Sequence, residues 1–193
     1  PFAANRAGAL RTFLSARPMA SRPIPAMSHI VGSVLDSNAF DAIIASTEMM
    51  ADYALQAPPG LVKILEEHNS MTRWMWERYA GQTNALQRAR CWTRWQKLRR
   101  YEARSYPEFD LISMVSQADR ATTLDVLGDR GVPVEFVSNG VDCNHNRPDL
   151  VKTRPFSLVY NGALTYSANY DAMRYFLADI YPMIRQQVSE ASL

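Results

Sequence analysis

Four short apolar runs with little alternation lie along the chain, at residues 40–46, 61–66, 109–116 and 134–137. Runs of this kind are typical of strands that are buried on both faces of a parallel sheet. Between and before them, apolar residues recur at helical spacing, which predicts helices over residues 5–16, 27–35, 47–55, 71–106 and 117–127. This alternation of strands and helices predicts an α/β, Rossmann-like fold, in which right-handed crossovers connect parallel strands.

A polar segment without periodicity interrupts this pattern at residues 143–155. It predicts a linker between a Rossmann-like domain over residues 1–142 and a second unit over residues 156–193. Within the second unit, an apolar run at 156–160 and a helical pattern over 169–188 predict one further strand and one further helix.

Neither end of the sequence resembles a natural terminus. Pro1 leads directly into a helical pattern, and residues 190–193 resemble the beginning of a strand. We therefore expect the sequence to be part of a longer protein.

The composition is typical of a globular protein, because 47% of the residues are apolar and 21 basic residues nearly balance 19 acidic ones. Two cysteines are too few for a disulfide framework and favour a reducing, cytoplasmic compartment. Cys91 and Cys143 lack the CxxC spacing of zinc ligands, so we expect no metal. No apolar run approaches the roughly 18 residues that a membrane-spanning helix needs.

Ligands of parallel sheets bind at the carboxyl ends of the strands, which directs attention to the residues that follow each run. His68 and Asn69 come directly after the second run. The ordinary alternative for His68 is a capping or surface residue, and the favoured interpretation of Asn69 and Ser70 is that they are N-caps of the next helix. Alternation places Glu66 and Glu67 on opposite faces of the strand, so they do not form a joint acid–base pair. Solvated or ion-paired carboxylates are the favoured interpretation of both.

Four segments in this order carry a resemblance to a known family. Asn-Gly-Val-Asp at residues 139–142 follows a strand and precedes the linker, and Leu-Val-Tyr-Asn-Gly-Ala-Leu-Thr-Tyr-Ser-Ala-Asn follows it at residues 158–169. Phe-Asp with a later Val-Ser-x-x-Asp lies at residues 109–119, and Glu-His-Asn-Ser at 67–70 precedes a helical tract that ends near Glu102. The sequence resembles group 1 (family 4) glycosyltransferases of the GT-B architecture, over residues 40–188.

The resemblance implies a transfer of sugar from a nucleotide-sugar donor to a glycan or lipid-linked acceptor, with the nucleotide sugar as co-substrate and no other cofactor. It implies that His68 is the catalytic residue and orients the donor sugar, and that Asn69, Asn139 and Gly162 bind substrate or donor. The ordinary alternatives are a turn or hinge at Asn139 and a turn at Gly162.

Two parts of the family pattern are not in this sequence. The family begins with a strand and a glycine-rich loop, and its donor domain carries a basic pair and a Glu-x7-Glu element. We therefore expect a fragment of a GT-B enzyme, comprising part of the acceptor-side domain and the first strand and helix of the donor-side domain, and inactive by itself. An open sheet edge on such a fragment favours pairing with a second copy, so we expect a homodimer.

All of the positive excess lies in residues 86–104, which hold seven basic residues and one acidic residue, with Trp92, Trp95 and Tyr101 interleaved. One interpretation is an amphipathic helix that packs its aromatic residues on the sheet. A second is a helix on the inner face of the plasma membrane, with Arg94, Trp95, Arg99 and Arg100 at the lipid surface. A nucleic-acid interface is the least favoured. The alternative function is thus a non-catalytic binding module that docks on membrane or nucleic acid.

Overall fold

The computed structural model describes residues 23–148 and 150–193, so the helix predicted over residues 5–16 lies outside the described residues. The chain divides into two compact units, the first ending at Asn139 and the second beginning at Gly140.

The first unit is an α/β unit with a parallel sheet, as the sequence predicts. Its helices and strands follow one another as α1 (Pro25–Ser37), β1 (Ala42–Ser46), α2 (Glu48–Ala54), β2 (Val62–Glu67), α3 (Met71–Ala80), α4 (Ala85–Ser105), β3 (Leu111–Met114), α5 (Gln117–Leu127) and β4 (Val134–Phe136). A short 3-10 turn at Tyr106–Glu108 connects α4 to β3. Each predicted strand of this unit is therefore present; β2 is shifted by one residue from its apolar run, and the other three strands are shorter than theirs.

All four strands are parallel and lie in the order β1-β2-β3-β4. The register places one buried residue of each strand in a single row, which consists of Ala45, Leu65, Ile112 and Val134. Alanines of α2, the Tyr106 ring and Leu127 of α5 pack on this row and complete the core. The fold is Rossmann-like in its architecture.

The chain crosses the sheet in one direction only, and this explains why one face is covered and the other is not. Right-handed crossovers that advance in one direction all place their helices on the same side of the sheet. On the opposite face, Ile44 and Val62 are exposed among the described residues. The second face of the sheet therefore presents apolar side chains.

The tract predicted as one helix over residues 71–106 is two helices, α3 and α4, separated at residues 81–84. Asn84 explains the interruption, because its side-chain oxygen accepts a hydrogen bond from the Gln87 N–H at 3.1 Å and begins a new helix. Helix α5 has the predicted bounds, and Ser116 caps it by accepting a hydrogen bond from the Asp119 N–H at 3.1 Å.

The second unit consists mainly of one continuous helical segment, made of α6 (Ser167–Tyr175), a π-helical stretch (Phe176–Ile180) and α7 (Tyr181–Gln187). The strand predicted over residues 156–160 is reduced to a single parallel bridge between Ser157 and Ser192. Two hydrogen bonds form it: Leu158 N–H to the Ser192 oxygen at 2.7 Å, and Ser192 N–H to the Phe156 oxygen at 3.0 Å.

Candidate functional site

His68 lies just beyond the carboxyl end of β2, where the neighbouring strand β1 also ends. The register pairs Ser46, the last residue of β1, with Glu66 of β2. The Ser46 hydroxyl consequently lies 3.2 Å from Nε2 of His68, within hydrogen-bond distance. The structure thus places two polar side chains together at the sheet edge where ligands of parallel sheets bind.

Glu66 completes this exposed group but does not form a catalytic relay with it. Its carboxylate lies 3.9 Å from Nε2 of His68, the same nitrogen that faces Ser46. In a serine–histidine–acid relay the acid instead contacts the other ring nitrogen, which leaves Nε2 free to act on the hydroxyl. With side chains 59% and 50% exposed, His68 and Glu66 form an open hydrogen-bonding surface.

The backbone directly after β1 is strained. Thr47 has φ 75° and ψ 157°, a region that residues with a β-branched side chain rarely adopt. Its N–H donates to the Glu66 carbonyl oxygen at 2.8 Å, which holds the turn in place. Strain of this kind is often found at functional sites, and here it lies one residue from Ser46.

Two buried carboxyl groups lie behind the edge, each bound by a hydroxyl from a distant part of the chain. The Tyr106 hydroxyl donates to Glu67 at 2.7 Å, and the Thr72 hydroxyl donates to Glu102 at 2.6 Å. Glu67 and Glu102 are both about 1% exposed. The interpretation of Glu67 as a solvated or ion-paired carboxylate is therefore wrong, whereas the prediction that Glu66 and Glu67 face opposite sides is confirmed.

Burial is the main reason that both carboxyl groups favour the protonated form. Burial raises the pKa of Glu67 to about 9. The hydrogen bond from Tyr106 lowers this pKa, whereas the charges of Glu48 and Glu102 raise it. Burial likewise raises the pKa of Glu102 to about 7. One oxygen of Glu102 is buried with no hydrogen-bond partner among the described residues, which adds to the cost of ionising it.

Asn69 is exposed, and the following residue begins the helix. The Ser70 side chain accepts a hydrogen bond from the Arg73 N–H at 3.2 Å and is the N-cap of α3. The Asn69 amide points to the Met71 sulfur at 3.8 Å instead. The N-cap interpretation is therefore wrong for Asn69, which lies beside His68 with its side chain open to solvent.

Asn139 is exposed and lies at the end of the first unit, three residues beyond β4. In the sheet, β3 lies between β4 and β2, the strand that His68 follows. Neither Asn139 nor Gly140 has a positive φ, so the positive-φ turn that an Asn-Gly pair favours is not formed. Asn139 therefore lies at the same end of the sheet as His68, two strands away from it.

Gly162 belongs to the second unit and is needed there for packing. A Cβ atom at this position would lie 2.5 Å from the Tyr160 hydroxyl and 3.1 Å from the Asn169 side-chain nitrogen. Asn169 also donates to the Ala163 oxygen at 3.1 Å and so ties this turn to α6. The space beside Gly162 is thus occupied by the side chains of Tyr160 and Asn169 of the same unit.

The basic helix buries Tyr101 but does not pack its two indole rings on the sheet. The buried side chains of α4 are Cys91, Leu98, Tyr101 and Glu102, whereas Trp92 is 46% exposed. Arg94 and Arg100 are exposed, and Trp95 lies against Trp76 of α3. Arg99 donates to Asp125 of α5 at 3.2 Å. The favoured interpretation of residues 86–104 is therefore wrong about where the indole rings lie.

Within residues 23–148 and 150–193, no three potential ligands come together as a metal site. No helix in the described part of the chain has both the length and the apolar character needed to cross a membrane.

Comparison with protein-family models, with curated proteins and with solved structures finds no match to this chain.

Proposed function

We propose that this chain forms the acceptor side, and the beginning of the donor side, of a nucleotide-sugar-dependent glycosyltransferase. The observation that carries the proposal is the place of His68, beyond the end of β2 and within 3.2 Å of Ser46. The order and spacing of the motifs around it resemble group 1 glycosyltransferases.

The chemistry of this edge suits the recognition of sugar hydroxyls. A neutral imidazole and a hydroxyl each donate and accept hydrogen bonds, and the Glu66 carboxylate accepts them. In the reaction the anomeric carbon leaves the distal phosphate oxygen of the donor and bonds to an acceptor oxygen, and the nucleoside diphosphate departs with the proton that the acceptor hydroxyl loses. His68 would hold the sugar in position for that exchange, so its effect would come from placement and charge stabilisation.

Histidine ring NMR on the 193-residue chain tests this proposal. The chain has three histidines, His29, His68 and His145, and all three are exposed, so each serves as a reference for the others. We expect uridine and guanosine diphosphate sugars, or short glycans, to shift the His68 ring resonances and to leave those of His29 and His145 unchanged.

His68→Gln should remove the shifting resonance and weaken binding about tenfold, the scale of one lost hydrogen bond to a partly charged ligand. The matched control, His145→Gln, should bind as the wild type does. A His68 resonance that no nucleotide sugar or glycan moves at millimolar concentration would overturn the proposal. The non-catalytic alternative, which uses α4 alone, predicts that unresponsive result.

A further inference from the structure

Helices α3 and α4 form a hairpin that projects from the first unit; residues 71–105 are called the α3–α4 hairpin below. Near its base, Thr72, Leu98 and Glu102 are buried. Near its tip, every residue from 83 to 90 is exposed, on all sides of the first turns of α4. A helix is exposed all round only where no side of it packs on the rest of the unit.

Aromatic rings and guanidinium groups cover one side of this hairpin. The centre of the Trp76 ring lies 5.2 Å from that of Tyr79 in the same helix and 4.8 Å from that of Trp95 in α4. The contact between Trp76 and Trp95 joins the two helices. The Arg88 guanidinium lies 4.7 Å from the centre of the Tyr79 ring, and the Arg99 guanidinium lies 5.9 Å from the centre of the Trp95 ring. Arg88 is thus held beside a ring, whereas Arg99 lies beside a ring and also donates to the Asp125 carboxylate at 3.2 Å.

The hairpin is strongly basic at its surface. Its acidic residues are Glu77, which pairs with Arg73 at 3.0 Å, and Glu102, which is buried. Its basic residues are Arg73, Arg78, Arg88, Arg90, Arg94, Lys97, Arg99, Arg100 and Arg104. A surface of this kind attracts a dense negative charge.

We propose that the α3–α4 hairpin lies on the surface of an anionic lipid bilayer. Trp76 is 45% exposed and Leu86 is 64% exposed, so apolar groups are available to enter the interface beside the arginines. Indole rings favour the headgroup level of a bilayer, and arginines close to it bind lipid phosphates. The hairpin lies on such a membrane without crossing it.

The arrangement of the rings favours lipid over single-stranded nucleic acid. Bases bind such surfaces by stacking on free aromatic faces. Here Tyr79 and Trp95 each already contact both a guanidinium and the Trp76 ring. A bilayer interface accepts ring edges and leaves those guanidinium contacts in place.

The tryptophans supply a direct test, because all four in the chain, Trp74, Trp76, Trp92 and Trp95, lie on this hairpin. Tryptophan fluorescence of the full chain, excited selectively over tyrosine, therefore reports on the hairpin alone. We expect vesicles of phosphatidylglycerol with brominated acyl chains to quench it, and vesicles of phosphatidylcholine to do so only at lipid concentrations at least tenfold higher.

A charge-matched pair of triple variants separates the hairpin from general basicity. Substituting Arg90, Arg94 and Arg100 by Gln should weaken binding to phosphatidylglycerol vesicles roughly 10- to 100-fold, on the scale of three lost lipid contacts. The control substitutes the exposed Arg147, Lys152 and Arg154 of the second unit by Gln and should bind like the wild type. Leu86→Gln should weaken binding roughly fivefold without any change of charge.

Equal binding by the two triple variants would overturn the proposal, as would tryptophan fluorescence that brominated phosphatidylglycerol leaves unquenched. A labelled single-stranded RNA that binds at lower concentration than the vesicles, in the same salt, would assign the hairpin to nucleic acid instead.

Discussion

Glu66 and Glu67 are neighbours in the sequence, yet one is half exposed and the other almost completely buried. Strand alternation turns the second carboxyl group inward, where the Tyr106 hydroxyl and the rest of the core surround it. The environment of this single residue, rather than its side-chain type, therefore determines the protonation state of Glu67.

The raised pKa values of Glu67 and Glu102 predict how the free energy of unfolding depends on pH. Below about pH 4.5, both groups are protonated in the folded and unfolded chains, and their contribution is fully present. As the pH rises through the folded values of about 7 and about 9, the unfolded chain ionises first and stability is lost. Urea denaturation should therefore give a higher free energy of unfolding at pH 5 than at pH 8.

Glu67→Gln keeps an acceptor for Tyr106 and removes the ionisable group. It should stabilise the fold at pH 8 by on the order of 2 kcal/mol and flatten the pH dependence. The matched control is Glu66→Gln, one position away on the exposed face, which should change stability by less than about 0.5 kcal/mol. If the two variants change the free energy of unfolding equally, burial of the Glu67 carboxyl group is not the cause of the pH dependence.

At the scale of elements, the four strands of the sheet were predictable because each contains a short, continuous apolar run. The expected burial of these strands on both faces is wrong, since Ile44 and Val62 are exposed among the described residues. Residues 156–160 show the limit of that reasoning, since the same kind of run forms only the Ser157 bridge there. The division of residues 71–106 into two helices was also missed. Gly81 and Asn84 were the available signals, but without a proline the helical periodicity around them dominated the prediction.

The break between α3 and α4 depends on a single cap, and this gives an element-scale prediction. Asn84→Ala removes the acceptor for the Gln87 N–H and should lower the free energy of unfolding by about 1 kcal/mol. Thr83→Ala, at the exposed neighbouring position, is the control and should change it by less than about 0.5 kcal/mol. If Asn84→Ala proves neutral in urea denaturation, the cap does not define this break.

At the scale of the whole molecule, the position of His68 at the carboxyl end of the sheet followed from the sequence, whereas its surroundings did not. The contact with Ser46 joins positions 22 residues apart, and those of Glu67 with Tyr106 and Glu102 with Thr72 span 39 and 30 residues. Such contacts depend on strand register and helix packing, which local periodicity does not encode. For Glu102 the sequence offered one indication, since it ends the helical tract that follows Glu-His-Asn-Ser at residues 67–70 in the motif resembling group 1 glycosyltransferases.

The uncovered face of the sheet belongs to the same scale and leads to a prediction about mass. The homodimer expected from the sequence would cover exposed Ile44, and light scattering should then give twice the mass of one chain. Ile44→Lys should yield a monomer whose thermal midpoint is within a few degrees of the wild type at low concentration, because the side chain is exposed. A monomeric wild type would contradict this expectation.

The buried pair of carboxyl groups also makes folding a proton-consuming reaction. At pH 7 the unfolded chain has released the protons of Glu67 and Glu102, and folding must recover roughly one proton at Glu67 and about half of one at Glu102. The buffer supplies them, so its own heat of ionisation enters any calorimetric measurement. The apparent enthalpy of unfolding should therefore differ between phosphate and Tris at the same pH. Plotted against the ionisation enthalpy of the buffer, it has a slope whose magnitude equals the number of protons that the core takes up on folding.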